Sequence, residues 1–272
     1  MPGYLGGEYD MAGIKWIGSN PGNIEKGLPR ASAITILNDP QTRFPVAIMN
    51  GALISAMRTG AASGVAVKYL SREDSKVAVL IGAGYQCTTQ MEATVCVRPG
   101  LEEVYVTDLV FERAEKLAAM MSEKLGRRII PIADPREKCR VADIIITVTG
   151  AASPVIDADY LNPRGCLYIN VGGYECTYDT VRAAGRIVVD NWNAVKHRKA
   201  GTVARMADEG LIGDDQIYAD LGRIVNGEKP GRISPEEIIY YNGVGMGVED
   251  IAIATRVYRE AEKRNVGRIL PY

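Results

Sequence analysis

The stretch Lys76-Val-Ala-Val-Leu-Ile-Gly-Ala-Gly-Tyr-Gln-Cys87 decides the fold. Five apolar residues in a row, Val77 to Ile81, predict a strand buried on both faces, as in a parallel sheet covered by helices. The strand runs into Gly82-Ala-Gly84, and residues 86–98 follow as a helix. Glycines between a strand and a helix permit a tight turn and let the backbone approach a pyrophosphate. The phosphate charge then rests on free N–H groups at the helix start. Gly82, Gly84, Tyr85 and Gln86 are therefore the expected dinucleotide loop. The third glycine position of the pattern is Cys87, so helix and strand must accommodate a small side chain there.

The same alternation continues downstream. Glu103-Val-Tyr-Val-Thr-Asp108 predicts a second strand, Arg113–Leu125 has helical spacing, and Gly126 is placed as its stop signal. Further strands are expected at Arg128–Ile132, Ala142–Thr147, Cys166–Val171 and Arg186–Val189. Repeated β-α-β units specify an α/β fold with a doubly wound parallel sheet, a Rossmann domain. Asp108 ends the second strand, where a carboxylate accepts hydrogen bonds from ribose hydroxyls and repels a 2′-phosphate. It favours NAD over NADP as cofactor, although a helix cap would use the same residue. Thr147 and Thr149 close the fourth strand, where carboxyl-end loops line the cofactor crevice, and Val171 is counted with them.

The flanks read differently. Residues 1–55 carry a glycine-rich opening and then alternating segments (Ala31–Asp39, Phe44–Gly51), which suggests antiparallel strands. Gly247 to Asn265 reads as a helix long enough to pack back on them. The expected architecture is a Rossmann domain over 61–244, inserted in a second α+β substrate and dimerisation domain built from 1–60 and 245–272.

Composition narrows the function classes. Lysine plus arginine (32) nearly balances aspartate plus glutamate (33), so no electrostatic footprint for nucleic acid or an anionic membrane is present. No apolar run is long enough to span a bilayer, and the start lacks the apolar stretch of a signal peptide. Five cysteines without C-x-x-C spacing read as reduced, mostly buried thiols rather than a zinc site or disulfide framework. A cytoplasmic protein is expected, with no metal. The single histidine, His197, argues against His-rich metal sites and a Ser-His-Asp hydrolase.

Around this nucleotide fold, five motifs stand together: Gly13-Ile-Lys15-Trp16, Asn20-Pro-Gly-Asn23, Met57-Arg58-Thr59-Gly-Ala-Ala-Ser63, Gly82–Gln86 and Gly245-Met-Gly-Val-Glu-Asp250. On these the chain resembles the ornithine cyclodeaminase/μ-crystallin family over essentially its whole length. Lys15–Pro21, Lys26-Gly-Leu-Pro-Arg30-Ala-Ser-Ala33 and Ile212–Arg232 are similar to its siderophore-pathway branch, N-(2-amino-2-carboxyethyl)-L-glutamate dehydrogenase. The resemblance implies an NAD-dependent CH–NH oxidoreductase that removes hydride from the α-carbon of an N-substituted amino acid. Hydrolysis of the imine would then release 2-oxoglutarate and L-2,3-diaminopropionate, the latter for siderophore biosynthesis. The rival activities are ornithine cyclodeaminase, alanine dehydrogenase and ketimine reductase. A non-catalytic, μ-crystallin-like nucleotide-binding protein is the alternative of another class.

The same resemblance supplies roles. Lys15 matches the active-site lysine and would hold the substrate carboxylate or assist proton transfer, which suits a lysine lowered in pKa by burial. Arg58 matches the arginine that grips the α-carboxylate, a task for a planar bidentate donor. Arg30 adds a cation that suits a multiply carboxylated substrate. Glu175 or Tyr174, after the glycines Gly172-Gly173, would take a proton or activate water. Glu249 and Asp250 open the last helix, where interaction with the helix dipole accounts for them as well as a ligand contact does. A homodimer is implied. Family chains also carry a stretch upstream of the segment matching Met1-Pro-Gly-Tyr4, with part of the substrate domain and a further arginine. Either this chain starts late or it manages without that stretch.

Overall fold

A computed structural model describes residues 1–271, which fall into two units: Met1–Arg58 together with the segment from Gly245 onward, and Thr59–Val244. In the first unit, β1 (Pro2–Leu5), β2 (Met11–Ser19), β3 (Ala31–Asn38) and β4 (Pro45–Asn50) pair antiparallel in chain order. Successive side chains on a strand point to opposite faces. Met11 and Leu37 therefore point inward, where they pack with Ile54, Ile251 and Ala254. Ile54 lies near the start of α1 (Gly51–Leu70), while Ile251 and Ala254 belong to the last helix, α9 (Gly247–Arg264). That helix carries Glu249 and Asp250 in its first turn and Lys263 and Arg264 in its last, each matching the helix dipole. The outer sheet face stays apolar and uncovered: Tyr4, Trp16, Ile34 and Ile48 are exposed, Trp16 by 76%.

The second unit is built on β5 (Val77–Ile81), β6 (Glu103–Thr107), β7 (Ile129–Pro131), β8 (Ile144–Thr147), β9 (Cys166–Asn170), β10 (Arg186–Val189), β11 (Ala219–Asp220) and β12 (Ile238–Asn242). All eight are parallel, in the order β11-β10-β12-β9-β8-β5-β6-β7. Its helices are α2 (Tyr85–Val97), α3 (Phe111–Leu125), α4 (Arg136–Cys139), α5 (Tyr178–Arg182), α6 (Trp192–Arg198), α7 (Thr202–Asp208) and α8 (Leu221–Val225). Alternate residues of the central strands feed two cores. Leu80, Val104 and Ile144 pack with Cys87, Met91 and Met121, whereas Val79, Tyr105 and Ile145 share a core with Val195 and Val203. Each fully buried aliphatic side chain contributes about 1.5–3 kcal/mol, so both faces of the sheet are held.

The doubly wound expectation holds, and Gly126 ends α3 in the left-handed conformation with φ 60°. One central strand was not anticipated. β12 inserts between β9 and β10 although it follows both in the chain. The chain order reverses between β5 and β8, the topological switch point beside which doubly wound sheets bind ligands.

Candidate active site

The carboxyl ends of β5, β6, β8 and β9 bring four loops of the second unit together. Gly82 has φ +104°, and a Cβ there would lie 2.7 Å from the Val148 carbonyl oxygen, so no other residue fits. Gly84 precedes α2 with no side-chain cap and nothing within 4 Å of a Cβ position. Open space over uncapped helix N–H groups is the cradle a pyrophosphate needs. Tyr85 is 61% exposed beside it, while the Gln86 Oε1 is buried without a protein partner. Cys87 is fully buried in the core beneath, as its position in the glycine pattern requires.

Asp108 ties this loop down. Its Oδ2 accepts from the Ala83 N–H (2.8 Å) and its Oδ1 from the Val110 N–H (3.0 Å). Each oxygen keeps a second lone pair able to accept a further hydrogen bond. Val171 donates its N–H to the Thr147 carbonyl (3.0 Å), linking the loops after β8 and β9.

Two of the expected site residues, Thr147 and Glu175, have fully buried side chains. Thr147 is fully buried, its hydroxyl donating to Glu175 Oε2 (2.9 Å) and lying 2.9 Å from the Tyr168 hydroxyl. Glu175 is fully buried as well. Its Oε2 also accepts from Asn170 Nδ2 (2.7 Å) and the Gly172 N–H (2.7 Å), and its Oε1 from the Thr149 N–H. Burial pushes its carboxyl above the ordinary value, and the Thr149, Gly172 and Thr147 donors pull the other way. Tyr174 is partly exposed, with the Arg205 guanidinium 4.4 Å over its ring and Tyr178 at 5.9 Å.

In the first unit a second cluster forms on the inner face of the sheet. Lys15 on β2 is 1% exposed, and its Nζ lies 2.7 Å from Asp250 Oδ2 and donates to Ser55 Oγ (3.2 Å). Thr35, its cross-strand partner, is also fully buried. Arg58 on α1 donates from Nε to Asp250 Oδ1 (3.2 Å) and from Nη1 to Glu249 Oε2 (3.1 Å). Asp250 thus bridges the two cations that sequence reasoning singled out. Gly245 has φ +79°, and a Cβ there would sit 2.1 Å from Arg58 Nη1, so the guanidinium lies directly on the backbone. Glu249 and Asp250 are ion-pair partners as well as dipole partners. The signal was available in the sequence, because Asp250 falls at helical spacing with Ile251, Ala254 and Thr255, the residues that α9 buries.

Arg30 stands apart from this cluster. It is exposed in the loop before β3, five residues ahead of the Thr35 that pairs with Lys15. Strand rise puts that at roughly 16 Å along the sheet. Its carbonyl accepts from Asn20 N–H, and its side chain has no hydrogen bond or ion pair among the described residues.

Comparison with known proteins adds lineage to this geometry. The N-((2S)-2-amino-2-carboxyethyl)-L-glutamate dehydrogenase of Staphylococcus aureus is 33% identical over 272 residues, covering 99% of this chain and 80% of that protein. The structure of Thermococcus litoralis Delta(1)-pyrroline-2-carboxylate reductase in complex with NADH and L-proline superposes with TM-score 0.93 at 38% identity, over 99% of this chain and 84% of that one. An archaeal alanine dehydrogenase dimer with bound NAD gives TM-score 0.89 at 32% identity, over 100% and 88%. The family model matches residues 1–265, and the chain belongs to the ornithine cyclodeaminase/mu-crystallin family.

Proposed function

We propose that this chain is an NAD-dependent dehydrogenase or reductase acting on the amine-bearing carbon of an amino acid. The observation that carries the reading is the pair of buried Lys15 and half-buried Arg58, bridged by Asp250, on a chain that also has the Gly82–Gly84 cradle. Relatives described with NAD or NADH support the cofactor. Gly82 and Gly84 would hold the pyrophosphate, with Asp108 at the ribose, Tyr85 and Gln86 at the helix start, and Thr149 and Val171 on the neighbouring loops. When bound, the dinucleotide supplies the hydride acceptor or donor.

The chain's own residues do the rest. Arg58 spends Nε and Nη1 on Asp250 and Glu249, which fixes the plane of its guanidinium. Its Nη2 has no partner among the described residues and would take the substrate α-carboxylate. Lys15 would present its ammonium to the same substrate and move the proton as the amine-bearing carbon changes oxidation state. Tyr174, partly exposed beside Arg205, is the second candidate for proton handling.

The finer assignment we propose is N-(2-amino-2-carboxyethyl)-L-glutamate as substrate. Oxidation by NAD and addition of one water would yield 2-oxoglutarate, L-2,3-diaminopropionate, NADH and a proton, a reaction that would serve diaminopropionate and siderophore biosynthesis. The 33% identical relative supports this. Alanine and proline-type substrates are the rival readings, favoured by the two structural neighbours. The apolar outer face of the four-stranded sheet supports a homodimer, as does the neighbour described as a dimer. No helix among the described residues is long and apolar enough to cross a membrane, and the free cysteines suit a cytoplasmic setting. The test is NADH formation with NAD and each of the three candidate substrates. Turnover of the conjugate alone supports the finer assignment. Turnover of alanine or proline alone overturns it while keeping the reaction class.

A further inference from the structure

We propose that Glu175 is a positioning residue of the dinucleotide site, a staple that locks the loop after β8 to the loop after β9, and not the acid–base group of the reaction. The inference rests on the dinucleotide reading above. Four donors converge on this carboxylate from both loops and the strands beneath them: Thr147 Oγ, the Thr149 N–H, Asn170 Nδ2 and the Gly172 N–H. The two N–H groups and the amide can only donate, so three of the four bonds require an acceptor at Glu175. A proton on the carboxyl would turn one of its oxygens toward a donor.

The surroundings enclose the carboxylate on every side. Glu175 has no exposed surface, and no Lys or Arg forms an ion pair with it among the described residues. A Cβ on Gly172 would lie 2.5 Å from the Glu175 Cδ, so the loop is wrapped directly over the carboxylate. Below, Asn170 accepts from the Tyr240 hydroxyl (2.9 Å), and the Asn242 amide donates to the Asn170 carbonyl (2.9 Å). The polar column therefore runs from β8 through β9 to β12 under the loops. The staple adds a fixed point in each of the two loops, beside the Val171 N–H to Thr147 carbonyl bond that also joins them.

The experiment compares wild type with Glu175→Gln and Gly172→Ala. Glutamine is isosteric but must aim an NH2 at one of the donors, so at least one loop is released. The expected result is an NADH dissociation constant raised about tenfold in both variants by fluorescence titration, a tenfold change corresponding to about 1.4 kcal/mol. At saturating NAD, kcat should stay within about twofold and the pH–rate profile should keep its shape. A kcat loss of about a hundredfold or more in Glu175→Gln, with unchanged NADH affinity and a lost limb of the pH profile, would overturn the proposal in favour of a catalytic acid. Hydrogen exchange on the wild-type protein decides the matter even if neither variant folds. The Thr149 and Gly172 amides, which lie outside regular secondary structure, should be protected, and rapid exchange at both would refute the staple. Absence of NADH binding by wild type would instead refute the function proposed above.

Discussion

Replacing Asp250 by asparagine removes one charge from a cluster of two cations and two anions while keeping the side-chain shape. Lys15 and Asp250 are 1% and 0% exposed, and Arg58 and Glu249 are 10% and 21% exposed. Breaking a buried pair costs about 3–5 kcal/mol because an uncompensated charge is left behind. The partial exposure of Arg58 and Glu249 places this case at the lower end, about 3 kcal/mol, or roughly 6–12 °C in Tm. Activity should fall further than stability alone accounts for. The carboxylate sets the direction of both Lys15 Nζ at 2.7 Å and Arg58 Nε at 3.2 Å. Misplacing such groups by an ångström costs about a hundredfold in kcat/KM, or about 2.7 kcal/mol. Calorimetry and steady-state NADH kinetics measure the two effects. In the double variant Lys15→Met with Asp250→Leu, the apolar pair should restore most of the Tm and none of the turnover. An Asp250→Asn enzyme melting within about 1 °C of wild type with kcat/KM within about twofold would refute this account of the cluster.

Two further outcomes are expected. Burial pushes the Cys139 thiol up to about 12 and the Cys166 and Cys176 thiols up to about 11, and raises Cys87 further. The thiolate is the reactive form, so a thiol reagent at pH 8 should label exposed Cys96 quickly and the other four only on unfolding; mass spectrometry of labelled peptides checks this. If the chain forms the proposed homodimer through its outer sheet face, Trp16→Glu should give a monomer in light scattering without unfolding α9 or its core. An unchanged mass would remove that face as the dimer surface.

Much of the fold was legible because parallel strands buried on both faces leave continuous apolar runs, as Val77–Ile81 and Ile144–Thr147 do. β12 escaped because Ile238–Asn242 is a short run after a charged loop, and nothing local states that it inserts between β9 and β10. In the site, Lys15 and Arg58 stood out by motif, but Asp250 was masked by a sufficient local explanation at a helix start. Only its place in the buried stripe separates the two readings. Residue type placed Thr147 and Glu175 at the right end of the sheet, yet type does not encode depth. Both side chains turn under the loops: donors from β9 and the glycine loop hold Glu175 there, and Thr147 donates to the carboxylate so placed.

The central claim is hydride transfer at an amine-bearing carbon. Its most direct test is to incubate the protein with NAD and α-deuterated forms of alanine, proline and the glutamate–diaminopropionate conjugate, then to weigh the NADH formed. The account predicts NADH heavier by one deuterium with at least one of the three, and loss of that product in Arg58→Ala. Tight NADH binding with no deuterium transfer from any of them would contradict it.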